Sequence, residues 1–345
     1  MPSLAVLHRP QIFEDCIGQE SIIRILKRQI ELNEFKNCYL FAGPSGCGKT
    51  TIARIFSHEI NAYKDDSGNW CSSEPIEIDG ASNNGVDNVR NIIQNAKERS
   101  LDGKYKIFII DEAHAITIQA WNAFLKCIEE PPKYTIFIFC TTDPQKIPNT
   151  ILNRTMRFNF SRVSPNFICN RLIYICEKEG YTNYNESCDF ISKIANGGVR
   201  DAIALLEKCV GYSNDLSIDN VVNALGTFNY QMFFDLTDAI IEKREDVIIK
   251  IIDKCFIEGR DLKTFITQYL EFVLDLNKYC IFHSLSMTKI PSSMIDNVNY
   301  TTGIEDKEKF KVLMKSVLDL LNIIKQDTIP QTTISITLLD LSRRL

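Results

Sequence analysis

Residues 43–50 read GPSGCGKT, the spacing G-x-x-x-x-G-K-T. Glycines let successive backbone N–H groups turn toward one anion, and a helix beginning near Lys49 adds the partial positive charge of its N-terminus. In this pattern Lys49 reaches the β- and γ-phosphates of a nucleotide, and the Thr50 hydroxyl binds magnesium. A second stretch, KIFIIDEAH, runs through four apolar residues, 107–110, and ends on Asp111 and Glu112. Asp111 fits a magnesium ligand acting through water, and Glu112 fits a general base for the attacking water. An Asp-Glu pair after a strand also fits a plain helix cap. Behind a phosphate loop the chemical reading is the stronger one.

Such residues work only if strand ends bring them together. From residue 10 to 160, β-rich runs (CYLFAG, PIEID, KIFIIDEAH, TIFIFCTT and MRFNF) alternate with helical stretches. This alternation predicts an α/β fold: a three-layer, mostly parallel sheet carrying a P-loop. The β-runs stop after residue 160, so residues 1–160 form the nucleotide-binding domain. Residues 161–225 and 226–345 read as two all-helical domains, with apolar residues at three- and four-residue spacing. Gly259 fits a helix C-terminus, and Asp261 fits the cap of the next helix.

The 345 residues are 45% hydrophobic and 24% charged, which suits an ordinary globular protein of two or three domains. A net charge of -5 excludes a surface coated in basic residues, but not a local basic stripe. The start lacks the pattern of a signal peptide and no run of eighteen apolar residues occurs, so a cytoplasmic protein with no membrane contact is expected. The twelve cysteines are scattered without C-x-x-C spacing, and read as small buried hydrophobes in a reducing compartment.

Several stretches in order, HRPQIFEDCIGQESI, GPSGCGKTTIARIF, EIDGASNNGVDNVRNII, YKIFIIDEAHAIT, WNAFLKCIEEPPKYTIFIFCTTDPQKIPNTILNRTMRFNF and GGVRDAIALLEK, resemble the ATPase subunit of bacterial sliding-clamp loaders, the gamma/tau subunit of DNA polymerase III. The resemblance extends to about residue 280 and implies an AAA+ domain followed by a helical lid and collar. It implies that Gly43, Pro44, Ser45, Gly46, Cys47, Gly48, Lys49, Thr50 and Thr51 form the phosphate loop. Asp111 and Glu112 match Walker B, Thr142 matches the γ-phosphate sensor, and Arg200 matches the second sensor on the lid. Arg9, Pro10, Ile17 and Gly18 match the segment lining the adenine pocket. Without the resemblance, Arg200 reads as a surface cation paired with Asp201 or a neighbour. Arg154 matches the arginine directed at the γ-phosphate of the neighbouring subunit, where a guanidinium can meet developing charge.

The sequence departs from the family pattern at Asn153 and Thr155, where serine and cysteine are usual, and at His8, where tyrosine is usual. The four-cysteine zinc module is missing: only Cys71 and His58 remain in that region, too few for a tetrahedral site, so no zinc is expected. The implied cofactors are ATP and magnesium. The implied partners are delta- and delta-prime-type subunits in a pentameric ring, a sliding clamp, and primer–template DNA. The DNA would meet Asn83, Arg90, Lys97 and Arg99 through its backbone, although a solvated helix face accounts for the same charges. The end at LLDLSRRL resembles the short gamma form. Non-hydrolysing clamp-loader subunits typically have degraded phosphate loops, which Lys49, Thr50, Asp111 and Glu112 argue against. Another AAA+ DNA-dependent ATPase fits the nucleotide motifs but not NAFLKCIEEPP. A DEAH-type helicase would need a second sheet domain, for which the helical sequence after residue 160 leaves no room.

Overall fold

The computed structural model describes residues 3–64, 70–100, 103–226, 230–285, 288–291, 294–303, 307–325, 327 and 329–345. Parts of the clamp-loader resemblance at 65–69, 101–102 and 227–229 therefore lie outside the described residues. The chain opens with α1 (Leu4–Leu7), α2 (Glu20–Leu32), β1 (Cys38–Ala42) and α3 (Lys49–Ile60). A short hairpin, β2 (Tyr63–Lys64) with β3 (Trp70–Cys71), precedes β4 (Ile76–Asp79), α4 (Val86–Ala96) and β5 (Lys106–Asp111). Then come α5 (Ile118–Glu129), β6 (Thr135–Thr141), α6 (Asn149–Leu152), β7 (Met156–Asn159) and α7 (Pro165–Glu179). The remainder is helical: α8 (Asn185–Ile194), α9 (Val199–Tyr212), α10 (Ile218–Leu225), α11 (Tyr230–Ile241) and α12 (Glu245–Ile257), then α13 (Leu262–Phe282), α14 (Ile295–Gly303), α15 (Lys307–Ile324) and α16 (Pro330–Arg344).

Two compact units emerge: Met1–Ile175 with Ala195–Glu207, and Cys176–Ile194 with Lys208–Leu345. In the first, five strands form one parallel sheet in the order β4-β5-β6-β1-β7. These are the five β-rich runs of the sequence. Side chains alternate across the sheet with period two. Tyr39, Phe41, Ile107, Ile109, Ile136 and Ile138 pack with Leu26 of α2 and Ile52 and Phe56 of α3. Leu40, Phe108, Ile110, Phe137 and Phe139 pack on the other side with Val89 of α4 and Trp121 and Phe124 of α5. Both faces are thus buried, which explains why these strands read as unbroken apolar runs. Each fully buried large side chain contributes about 1.5–3 kcal/mol.

Parallel pairing sets all the carboxyl ends of the strands on one edge, where ligands bind in such sheets. Ala42 of β1 is level with Thr141 of β6, and Ile110 of β5 is level with Phe139. The loops after β1, β5 and β6 therefore leave the sheet side by side.

The second unit is helical. Its core gathers Phe233, Phe234, Phe265, Tyr269 and Phe272 with residues of α12, α15 and α16. The Thr237 and Tyr269 hydroxyls meet inside it at 3.0 Å. Gly259 stands just beyond α12 at φ +69°, a conformation suited to glycine, and Asp261 caps α13 by accepting the N–H groups of Lys263 and Thr264.

Candidate functional site

The phosphate loop leaves β1 at Gly43, whose N–H donates to the Thr141 carbonyl at 3.1 Å. A Cβ on Gly43 would lie 2.5 Å from the Phe160 carbonyl oxygen, so no larger residue fits against β7's exit. Gly48 takes φ +97° and α3 begins at the next residue. Lys49 is buried and its ammonium donates to the carbonyls of Gly43 and Pro44 at 2.9 and 2.8 Å. The Cys47 thiol donates to the Pro44 carbonyl, and burial pushes its pKa up.

In the first turn of α3, Thr50 Oγ1 donates to Asp111 Oδ2 at 2.7 Å, and Asp111 Oδ1 accepts the Glu112 N–H at 2.9 Å. Glu112 adopts φ +46°, a left-handed conformation costing a non-glycine residue about 1–2 kcal/mol. Its Oε2 accepts a hydrogen bond from Thr142 Oγ1 at 3.5 Å, at the end of β6. The structure thus brings Lys49, Thr50, Asp111, Glu112 and Thr142 together at one sheet edge.

The N-terminus of α9 meets the same loop. The Val199 N–H donates to the Gly46 carbonyl at 2.9 Å, and a Cβ on Gly46 would lie 3.2 Å from both Gly198 and Asp201. Arg200 is exposed, and among the described residues no ion pair joins it to Asp201, the pairing it would have without the family resemblance. On the opposite flank Arg9 Nε donates to Thr51 Oγ1 at 3.2 Å. Burial lowers the Arg9 pKa, as do the nearby cations Arg54 and Arg200, while Glu77 and Asp111 oppose the shift. Arg9, Arg54 and Arg200 lie close enough to repel one another, a repulsion that an anionic ligand would relieve.

Most of these groups line one cavity of about 380 Å³, inside the range of small-molecule sites. Of the residues expected from sequence, Arg9, Pro10, Ile17, Ser45, Gly46, Cys47, Gly48, Lys49, Thr50, Thr51, Asp111, Glu112 and Arg200 line it. Gly18, Gly43, Pro44 and Thr142 lie outside its lining; Gly18 turns at φ +68° against Val163, and Thr142 meets the cavity only through Glu112. Sequence reasoning missed Cys16, Arg54, Glu77, Arg171 and Ile203, which also line it. Arg54 and Glu77 form an ion pair, and Arg171 Nη2 donates to the His8 carbonyl at 2.7 Å. Helix spacing placed Arg54 on α3, but only the sheet order brings β4 beside it.

Arg154 does not enter the cavity. Its Nη1 donates to the Thr150 carbonyl at 2.8 Å and its Nη2 forms an ion pair with Glu129 Oε1 at 2.7 Å, with both side chains partly exposed. Asn83, Arg90, Lys97 and Arg99 do not form one cluster. Arg90 lies on α4, whose eleven residues span about 16 Å, while Asn83 precedes that helix and Lys97 and Arg99 follow it. Asn83 Nδ2 donates to the Asp79 carbonyl, Arg90 pairs with Asp87, Lys97 ends the helix, and Arg99 lies over the Tyr134 ring at 5.0 Å.

His58 Nδ1 lies 2.9 Å from Ser72 Oγ and its Nε2 3.4 Å from Glu74, one and three residues from Cys71. Among the described residues no group of three or more His, Cys, Asp or Glu could hold a metal, and no helix is long and apolar enough to cross a membrane. All twelve cysteines are free thiols, nine of them buried.

The parallel sheet, the loop after β1 and the paired acids after β5 define a P-loop nucleotide-binding protein of the AAA+ class. Solved structures of the Thermotoga maritima RuvB Holliday junction branch migration motor share this fold. One aligns at TM-score 0.51 and 19% identity over 68% of this chain and 80% of that one. Another, of a point mutant of the same motor, aligns at TM-score 0.51 and 17% identity over 77% and 90%. A sequence model described as DNA polymerase III, delta subunit, matches residues 18–164. Over longer spans the chain is similar to DNA polymerase III subunit tau of Bacillus subtilis, with 36% identity over 79% of this chain and 51% of that protein. It is also similar to DNA polymerase III subunit gamma of Buchnera aphidicola, with 31% identity over 79% of this chain and 80% of that protein. The chain belongs to the DNA polymerase III gamma/tau family. It spans about half the length of most of these curated relatives and four-fifths of the Buchnera protein.

Proposed function

We propose that this chain is the ATP-hydrolysing motor subunit of a DNA sliding-clamp loader. Residues 1–160 would bind nucleotide, 161–225 would act as a helical lid, and 226–345 as an oligomerisation collar. The observation that carries the reading is the convergence of Lys49, Thr50, Asp111 and Glu112 on one cavity at the carboxyl ends of β1 and β5. Family membership supports the same conclusion.

The residues present fit magnesium and a nucleotide. Thr50 and Asp111 already adjoin and would hold the ion, which when bound neutralises charge on the phosphate oxygens. Lys49 would exchange the Gly43 and Pro44 carbonyls for phosphate oxygens. Glu112 would take a proton from the water attacking the γ-phosphorus. The new P–O bond forms as the bond to the β-bridging oxygen breaks, giving ADP and phosphate. Thr142 would steady Glu112 and sense the γ-phosphate; Arg200, which lines the cavity beside the loop, would add positive charge. Arg154, outside its own cavity, would serve the neighbouring subunit's nucleotide.

ATP would favour a pentameric assembly with delta- and delta-prime-type subunits that opens the clamp and grips primer–template DNA by its backbone. Hydrolysis would release the closed clamp. A second reading, a non-hydrolysing structural subunit, is favoured by the delta-subunit description matching residues 18–164. Clamp loading by an assembly carrying Lys49→Ala separates the two. Loss of loading supports the motor; loading at the wild-type rate supports the structural subunit.

A further inference from the structure

His114 occupies a single 3-10 turn, Ala113–Ala115, directly after the Asp111-Glu112 pair. Its ring Nδ1 lies 3.3 Å from Glu112 Oε2 and 3.3 Å from Thr141 Oγ1. Thr141 is fully buried, and its hydroxyl oxygen also accepts the Asp143 N–H at 3.1 Å, so Nδ1 sits between two oxygens and a hydrogen on it is shared by both. The same Glu112 oxygen accepts the Thr142 hydroxyl. Oε1 of Glu112 makes no hydrogen bond among the described residues, although Glu112 lines the cavity.

An ionised carboxylate can only accept. The His114–Glu112 contact is therefore favourable only when Nδ1 carries a hydrogen. A ring protonated on Nε2 alone would accept from Thr141 and turn a lone pair toward Glu112. The backbone at Glu112 is left-handed, uncommon for a non-glycine residue, and its carboxylate lies at the end of β6 against Thr142.

We propose that His114 is a positioning residue for Glu112. Its Nδ1–H holds Oε2 against the end of β6, so that Oε1 is the oxygen left to take the proton from water in the cavity. The proposal rests on the reading of Glu112 as the general base.

The test is steady-state ATP hydrolysis by the full chain in the assembly proposed above, with nucleotide affinity measured alongside. His114→Ala should lower kcat about 10- to 100-fold, with KM and nucleotide Kd within twofold. His114→Asn, whose amide N–H can replace Nδ1–H, should restore most of the rate. His114→Gln, whose amide reaches the Nε2 position, should not. In a Glu112→Gln background His114→Ala should cost nothing further. Wild-type kcat in His114→Ala, or equal losses in the Asn and Gln variants, overturns the proposal while leaving Glu112 in place. Wild-type hydrolysis by Glu112→Gln removes the general base itself, and the role of His114 with it.

Discussion

Thr50 Oγ1 donates to Asp111 Oδ2 at 2.7 Å, tying the first turn of α3 to the end of β5. The two groups come from opposite sides of β6 in the sheet order, and under the proposed function their meeting would make a magnesium site of two separate motifs. Asp111→Asn keeps an acceptor for Thr50 but removes the charge. A magnesium titration of ATP hydrolysis should then shift its midpoint about 10- to 100-fold upward, with the melting temperature little changed. An unmoved midpoint would place the metal elsewhere.

Arg154 is held by Glu129 and by the Thr150 carbonyl, away from the cavity of its own chain. Arg154→Ala should leave nucleotide affinity within about twofold and lower hydrolysis in the assembled ring by about a thousandfold. Normal hydrolysis in a ring built wholly from this variant would remove the role in trans.

The three-layer core makes a stability prediction independent of function. Phe137 on β6 is fully buried, with ring centroids of Phe108, Phe124 and Phe139 at 5.3, 5.6 and 6.1 Å. Phe137→Ala should cost about 3–5 kcal/mol in urea unfolding. Ile118→Ala, at a position 70% exposed, should cost less than about 0.5 kcal/mol. Comparable costs at the two positions would contradict the packing described.

Burial pushes the Cys38 thiol up to about 12 and the thiols of Cys16, Cys209 and Cys255 up to about 11. In the unfolded chain these groups ionise near the ordinary thiol value of 9.0. Below that pH both states hold their protons and the stabilisation is fully present. Above it the unfolded chain binds fewer protons than the fold, so stability falls as pH rises through about 9 toward about 11. Melting temperatures taken in reductant should be level up to about pH 8.5 and decline beyond about pH 9. A rise over that second interval would show that the thiols are not buried as described.

Much of the sheet domain was legible because its strands are buried on both faces and stand out as apolar runs, and because the phosphate loop is a local motif. The β2–β3 hairpin was not, since two-residue strands carry no periodicity. The same limit hid the rest of the cavity. Arg54 and Glu77 meet only because β4 is the sheet's edge strand beside β5, and Arg171 reaches His8 across 163 positions of sequence. Nothing in the local sequence marks Glu129 or His114; their partners become visible only with the fold. The replacements at Asn153 and Thr155 beside Arg154 leave its backbone turn intact, with the Arg154 N–H donating to the Ile151 carbonyl at 3.0 Å. Nothing in the structure explains why those two residues were chosen.

The most direct measurement is ATP turnover by this chain assembled with delta- and delta-prime-type subunits, with and without sliding clamp and primed DNA. Slow turnover alone, rising at least about tenfold when clamp and primed DNA are both present, is the expected result. Turnover that stays flat in the complete assembly would contradict the assignment of this chain as a clamp-loader motor.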